Sequence, residues 1–285
     1  GLSHQSQGEY AEAVKHLTES RDLYEKLERP GNVADLWNQL GDTYRLWGKQ
    51  EEALAHYAEA LKRYEALERW ASVADVQLGI GLSYSAHESY VEAESHLKAG
   101  IKEAEGLFLN EEAAKIWIEL SELYLSQQDA GSALVGIDHA LKISDALDLG
   151  ILRGKALTCQ GYALTMNLLL SEAIACFEQS IAHLQYGDEP KWLAKAELGL
   201  VRVSWLQGNR QDVHDDIAHI LATLDERYLY RDKAFLCKEI VEFFVLHDYK
   251  DDAKRYLLQA EALFSSLGIQ AELDRLNNVF GISVE

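Results

Sequence analysis

The sequence predicts an all-α solenoid in which one helix–turn–helix unit is stacked about seven times. The same residue types return every 40 residues without a change of register, and the 285 residues accommodate seven such periods. Within each period, apolar residues recur at helical spacing in two successive stretches that a short turn separates. A fixed period of this length is typical of a stacked array of one supersecondary unit, and not of a globular enzyme fold.

The second helix of each unit carries the clearest repetition. Its small-residue column, here called the alanine column, is Ala13, Ala53, Ala93, Ala133, Ala173, Val213 and Ala253. One helical turn later comes the bulky column, which is Leu17, Tyr57, Leu97, Ile137, Phe177, Ile217 and Leu257. These columns predict second helices near 10–28, 50–68, 90–108, 130–148, 170–186, 210–228 and 250–266. A polar stretch in first-helix phase predicts a capping helix near 270–280.

The first helix of each unit carries its own apolar stripe and one small residue. In the second unit the stripe includes Leu36 and Leu40, and Gly48 then interrupts the helix before the second stripe begins. The small residues at the equivalent position of successive first helices are Gly41, Gly81, Ser121 and Gly161. Two helices approach closely only where side chains are small, so we expect these residues to face the alanine column.

These residues resemble a known repeat family. The match to the tetratricopeptide repeat signature is carried by Trp37, Leu40, Gly41, Tyr44, Gly48, Ala53, Tyr57 and Ala60. The resemblance covers the whole chain, although Val201 and Val241 replace the glycine in the last two units. It implies a right-handed superhelix and a non-catalytic module for protein–protein interaction.

The period of 40 exceeds the usual length of about 34 residues for this repeat. We expect the additional residues to lengthen the second helix. Units of this length are similar to those of Pins-type polarity adaptors and of the sensor regions of MalT-like bacterial regulators.

The resemblance also implies that first helices line a concave face on which a peptide or a partner helix binds. The residues expected to contact the partner are Asn38, Asp42, Arg45, Leu78, Leu82, Ile118, Glu122, Leu125, Thr158, Tyr162, Leu198, Arg202 and Trp205. The middle of this set is apolar and its ends are polar. Two interpretations stay open: an apolar groove that accepts the partner, or a tightly curved array that packs these side chains against neighbouring first helices.

Charge narrows the class of partner. The chain has 47 acidic and 27 basic residues and a net charge of −20. This balance opposes binding to nucleic acid and to anionic membranes, so we expect a neutral or basic protein or peptide partner. The three cysteines include no CxxC pair, which predicts neither a disulfide framework nor a zinc site and favours a cytoplasmic setting. The oligomeric state is left open.

The sequence predicts no catalytic residues, no cofactor and no metal site. The densest cluster of candidate ligands is His214, Asp215, Asp216 and His219. Its two histidines are five residues apart and do not share a helical face, and no Walker loop, GxSxG or HExxH motif is present.

The alternative function is a ligand- or partner-sensing region of a larger bacterial signalling protein or transcription regulator. A continuous open groove would favour the peptide-binding module, and one enclosed pocket with convergent polar groups would favour the sensor. Because Gly1 stands where a methionine would begin a complete chain, we interpret the sequence as a piece of a longer protein.

Overall fold

The computed structural model describes residues 10–280, with side chains through residue 276, and in this range the chain is helical with no strand. The helices are α1 (Tyr10–Lys26), α2 (Pro30–Leu46), α3 (Gln50–Ala66), α4 (Trp70–Ala86), α5 (Tyr90–Gly106), α6 (Asn110–Ser126), α7 (Ala130–Ala146), α8 (Gly150–Met166), α9 (Leu170–Leu184), α10 (Pro190–Leu206), α11 (Val213–Glu226), α12 (Tyr230–Leu246), α13 (Lys250–Leu267) and α14 (Gln270–Phe280). The even-numbered helices α2–α12 are the first helices of the units, and the odd-numbered helices are the second helices. The predicted all-α solenoid is confirmed.

Most helices end in the same way. A residue with positive φ follows the helix at 20-residue intervals, at Glu28, Gly48, Glu68, Glu88, Phe108, Gln128, Asp148, Leu168, Gly208, Tyr228, Asp248 and Gly268. At the end of α1 the Glu28 amide donates to the Glu25 carbonyl at 3.1 Å and the Arg29 amide donates to the Tyr24 carbonyl at 3.0 Å. This is the Schellman pattern, which satisfies carbonyls that the helix leaves unpaired.

The 40-residue unit is therefore two similar halves. In the second to fourth units the first and second helices each have 17 residues, and a short turn follows each. The expectation that the second helix carries the additional length is wrong, because in these units a left-handed residue ends both halves at the same point.

The aromatic side chains of the bulky column lie between two glycines. Phe177 on α9 packs against Gly161 on α8 and Gly199 on α10, and it is fully buried. A Cβ atom at Gly161 would lie 2.5 Å from Phe177 Cε1, and a Cβ at Gly199 would also overlap the ring. The ring therefore joins three helices of two successive units.

Tyr57 on α3 occupies the same kind of space between Gly41 and Gly79, where added Cβ atoms would lie 2.6 Å and 2.7 Å from its ring. The small residues of the first helices thus face the bulky column. At Gly41 and Gly161 the expected contact with the alanine column is displaced by one helical turn. Gly81 contacts both columns, since an added Cβ would lie 2.8 Å from Leu97 Cγ and 3.3 Å from the Ala93 carbonyl oxygen. The six alanines of the alanine column are nevertheless fully buried.

The array curves with its first helices on the inside. Successive first helices pack against one another as well as against their own second helices. The curvature brings distant parts of the chain together: Arg231 Nε on α12 donates to the Leu46 carbonyl of α2 at 3.2 Å. Arg275 on α14 lies 3.4 Å from Glu88, and Ile269 contacts Gly48. The superhelix therefore closes on itself. Gly1 and Gly8 lie outside the described residues.

Candidate binding surface on the inner wall

Four charged side chains form ion pairs and hydrogen bonds between first helices on the inner surface. We use the term inner surface for the inward side of the first helices. The Lys195 ammonium on α10 bonds the Glu122 carboxylate on α6 and lies 3.5 Å from Glu239 Oε1 on α12. Arg202 Nη2 on α10 donates to the Glu239 carbonyl at 2.7 Å and lies 3.9 Å from its carboxylate. We call Glu122, Lys195, Arg202 and Glu239 the inner charge network. It links three first helices across the concave side.

Tyr162 on α8 lies beneath this network. Its hydroxyl donates to the Lys195 carbonyl at 2.8 Å, and the Arg202 guanidinium lies over its ring at 5.4 Å. Burial raises the pKa of Tyr162 to about 12, although Arg202 opposes this shift. The phenol therefore stays neutral at physiological pH and acts as a hydrogen-bond donor.

Ion pairing decides the charge state of the network. Burial opposes ionisation of Glu122, but the Lys195 and Lys191 ammonium groups bring the pKa of this carboxyl below its usual value. Burial likewise opposes the Lys195 charge, but Glu122 and Glu239 hold its pKa well above the ordinary range. Both partners of this mostly buried pair are therefore charged.

Glu119 differs from the acids of the network. It lies three residues before Glu122 on α6, and burial and the Glu122 charge raise its pKa. Within the described side chains Glu119 has no hydrogen bond and no ion pair. It is therefore a half-buried carboxyl at the inner surface with no ion pair or hydrogen bond, and the charges of Lys191, Lys195 and Arg45 only partly oppose the rise of its pKa.

A second polar group lies on α2. The Tyr57 hydroxyl donates to Asp42 Oδ1 at 2.7 Å, and Arg45 Nε donates to the Tyr57 hydroxyl at 3.2 Å. The side-chain oxygen of Asn38, one turn before Asp42, is buried without a hydrogen-bond partner, and so is Arg202 Nε. Buried polar atoms are normally satisfied, so these two atoms are candidates for contact with a ligand.

The structure divides the thirteen predicted contact residues into two groups. Partly exposed on the first helices are Asn38, Asp42, Arg45, Leu78, Leu82, Glu122, Tyr162 and Arg202. Buried are Ile118, Leu125, Thr158, Leu198 and Trp205. These five are buried among the chain's own helices and cannot contact a partner in this structure.

Thr158 and Trp205 illustrate why. Thr158 Oγ1 lies 2.7 Å from Ser180 Oγ, so this residue faces the second helix α9. The Trp205 ring lies 5.1 Å from that of Phe243 and 5.0 Å from that of Tyr249, in edge-to-face contacts. For Trp205 the structure agrees with the packing interpretation, whereas Thr158 is buried within its own helix pair.

Glu119, Lys195 and Glu239 were not among the predicted contacts. Each lies on the inward side of its helix at a position that the family resemblance did not single out. Helical spacing alone could have found them, since Lys195 shares a face with Arg202 seven residues later and Glu119 shares one with Glu122.

The histidine cluster has a structural role. His214 Nε2 lies 2.9 Å from Asp252 Oδ1, and His214 Nδ1 lies 2.9 Å from the Tyr256 hydroxyl. A cavity of about 150 Å³ beside them is also lined by Lys233 and Arg255. It is smaller than the sites of about 300–1,000 Å³ that hold typical small ligands. Asp215, Asp216 and His219 do not line it.

Across residues 10–276, no group of three or more His, Cys, Asp or Glu side chains is placed to hold a metal ion. Among the helices that the structure describes, none has the length and apolar character needed to cross a lipid bilayer.

The family model described as tetratricopeptide repeat matches residues 1–66, and the helix pairs found there continue through the described chain. The described chain therefore has a tetratricopeptide-repeat-like fold, and its first 66 residues match the family model itself. The comparison with curated proteins gave no match.

Several solved structures share the fold of this chain. A Rap protein complexed with competence and sporulation factor has 15% identity and a TM-score of 0.79, over 95% of this chain and 74% of that one. Aspartyl phosphate phosphatase F from Bacillus subtilis has 14% identity and a TM-score of 0.79, over 94% and 69%. The Rap conjugation gene regulator of the plasmid pLS20, complexed with the Phr* peptide, has 17% identity and a TM-score of 0.69, over 97% and 75%. At these identities the likeness concerns the fold.

Proposed function

We propose that the inner surface of this tetratricopeptide-repeat-like array binds a peptide, or an extended segment of a partner protein, that carries positive charge. The observation that carries the proposal is Glu119, an unpaired carboxyl on an inner wall whose other charges are largely paired. An ionised group that is partly removed from water is unfavourable without a partner. A lysine, an arginine or an amino terminus of the ligand supplies that partner.

The other contacts follow from the exposed and unsatisfied groups. The Asn38 side-chain oxygen accepts a main-chain amide of the ligand, and Arg202 Nε donates to a main-chain carbonyl. Leu78 and Leu82 keep partial exposure and receive an apolar side chain. Two proteins with the same fold were solved with a bound factor or peptide, which supports a ligand of this kind.

The test uses two pools of synthetic hexapeptides that differ only in charge, one with Lys and Arg and the other with Asp and Glu. Equilibrium dialysis followed by mass spectrometry identifies the peptides that the protein retains. We expect retention from the basic pool, and a loss of at least tenfold in Glu119→Gln. Retention of the acidic pool, or undiminished retention by Glu119→Gln, would overturn the proposal.

Glu122→Gln is the matched control for protein stability. It removes a carboxylate of the same type from the same helix, but leaves the Lys195 ammonium without its closest partner. Loss of one member of such a pair costs about 1–3 kcal/mol, so Glu122→Gln lowers the free energy of unfolding. Glu119→Gln removes an unpaired charge and does not lower it. Loss of binding in a variant that is no less stable separates ligand contact from folding.

The proposal assigns binding and not catalysis to the inner surface. The alternative role as the sensing region of a bacterial regulator is favoured by one observation, the shared fold with a regulator of conjugation genes. In that role a retained peptide changes the radius of gyration measured by small-angle X-ray scattering. An unchanged radius favours an adaptor that only holds its partner.

A further inference from the structure

Apart from the turn after α9, the two edges of the solenoid have the same backbone turn but different side chains. Turns within a unit form one edge, and their C-cap residues are Trp47, His87, Gln127, Asn167, Gln207 and His247. Turns between units form the other, which we call the inter-unit edge. Its C-cap residues in successive units include Leu67, Leu107 and Leu147. Since both edges use one turn geometry, the turn itself does not require leucine.

Five large apolar side chains form an exposed row on the inter-unit edge. Phe108 and Tyr186 are 85% and 89% exposed, and Leu107, Leu147 and Ile151 are between 40% and 46% exposed. They belong to three successive inter-unit turns. The helices that follow these turns lie side by side, since α6 packs against α8 and α8 packs against α10. Ile151 contacts Gly187, the residue next to Tyr186. We call these five residues the apolar stripe.

Phe108 stands where the backbone favours glycine. Its φ is +58°, a left-handed conformation that is disfavoured for bulky side chains. The exposed ring does not compensate this strain by packing. An exposed apolar row that neither the turn nor the core explains is typical of a protein interaction site.

The charge around the apolar stripe indicates which kind of partner would bind there. Residues 103–112, which surround Phe108, include four acidic residues. Glu111 and Glu112 pair with Lys115 at 2.8 Å and 3.9 Å, and Glu103 and Glu105 have no ion pair among the described side chains. Asp145 and Asp148 flank Leu147, and of these Asp145 pairs with Arg153 at 3.0 Å. A second copy of this chain would bring the same acidic rim against itself. We infer that the apolar stripe docks a segment of a partner protein that presents apolar side chains among lysines or arginines.

The probe is a fluorescein-labelled, 14-residue amphipathic helix of Leu and Lys, and the comparison probe has Glu in place of Lys. Fluorescence anisotropy is measured with the wild-type protein and with the double variant Phe108→Gly, Tyr186→Ser. We expect the Leu–Lys peptide to bind the wild type and to bind the double variant at least tenfold more weakly. The double variant stays folded, since Phe108→Gly relieves backbone strain. The Leu–Glu peptide does not bind.

Leu168→Gly is the matched control. Leu168 is also an exposed apolar residue with positive φ, at +57°, but it lies on the opposite edge. Three results would each overturn the inference. The Leu–Lys peptide could bind the wild type and the double variant equally, Leu168→Gly could lose as much binding as the double variant, or the Leu–Glu peptide could bind the wild type as well as the Leu–Lys peptide does. A wild-type dimer that becomes monomeric in the double variant, measured by analytical ultracentrifugation, would instead make the stripe an interface between copies and reject the cationic partner. Glu119→Gln leaves peptide binding at the stripe unchanged, which distinguishes this site from the inner surface.

Discussion

The confinement of the Phe177 ring predicts that Gly161→Ala destabilises the protein. The added Cβ would lie 2.5 Å from Phe177 Cε1 and 2.6 Å from Cζ, whereas non-bonded carbons prefer about 3.5–4.0 Å. The ring would have to move by about 1 Å, and Gly199 of the next unit blocks its other face. Overpacking of this kind costs about 1–3 kcal/mol. The better helix propensity of alanine returns about 0.5–1 kcal/mol, so we expect a net loss of about 1–2 kcal/mol.

Gly106→Ala is the control for helix propensity. Gly106 ends α5 and is exposed, and a Cβ there would meet no atom within 4 Å. Its expected effect is a gain of up to about 1 kcal/mol. Far-UV circular dichroism during urea and thermal unfolding measures both variants. In a chain of this size 1 kcal/mol corresponds to a shift in Tm of about 2–4 °C, so the two variants shift Tm in opposite directions.

A double-mutant cycle tests the physical cause. Phe177→Leu removes part of the ring that the new methyl group meets, so it should recover part of the loss in the Gly161→Ala background. The coupling free energy is expected within about 0.5–3 kcal/mol. If Gly161→Ala and Gly106→Ala shift Tm in the same direction, or the cycle shows no coupling, the proposed confinement of the ring is refuted.

Three further predictions follow from the turns, the inner surface and the closure. Leu168→Gly replaces a strained residue and should raise the free energy of unfolding by about 1 kcal/mol. The left-handed conformation costs leucine about 1–2 kcal/mol, which exceeds the cost of the additional entropy that glycine gives the unfolded chain. An unchanged or lower Tm contradicts this prediction. The raised pKa of Glu119 means that the folded state binds its proton more tightly than the unfolded state, so its contribution to stability falls as pH rises above the usual pKa of 4.5. Glu119→Gln should therefore gain stability relative to wild type as pH rises from 4 to 7, and parallel pH profiles of the two proteins would reject the shift. Arg231→Gln removes the bond to the Leu46 carbonyl and should increase the radius of gyration at constant helicity; an unchanged radius would show that this bond does not hold the ends together.

The local structure could be predicted because each unit repeats the same pattern of small and bulky apolar residues. The alanine column, the bulky column and the interrupting Gly48 indicate helix, turn and helix without reference to the rest of the chain. The contact between Arg231 and Leu46 could not be predicted in this way, since it joins residues 185 apart along the chain. It depends on small rotations between units that accumulate around the superhelix.

The rotations between units also explain why some predicted contact residues are buried. The inward positions of Asp42, Glu122 and Arg202 follow from helical periodicity and the family resemblance. The burial of Leu125 and Trp205 depends on how tightly the array curves, which no single unit specifies. The absence of an ion pair at Glu119 could not be predicted, because it depends on which neighbouring acids have cationic partners on other helices of the folded chain.

The closure between α12 and α2 changes how the number of units is constrained. An open stack of repeats gains or loses a unit at little cost, because each unit meets only its neighbours. Here the last units also touch the beginning of the array, so insertion of one more unit would displace Arg275 from Glu88 and Ile269 from Gly48. Within the described residues, these contacts therefore constrain how many units lie between α2 and α12, and separating α12–α14 from the first units must break them.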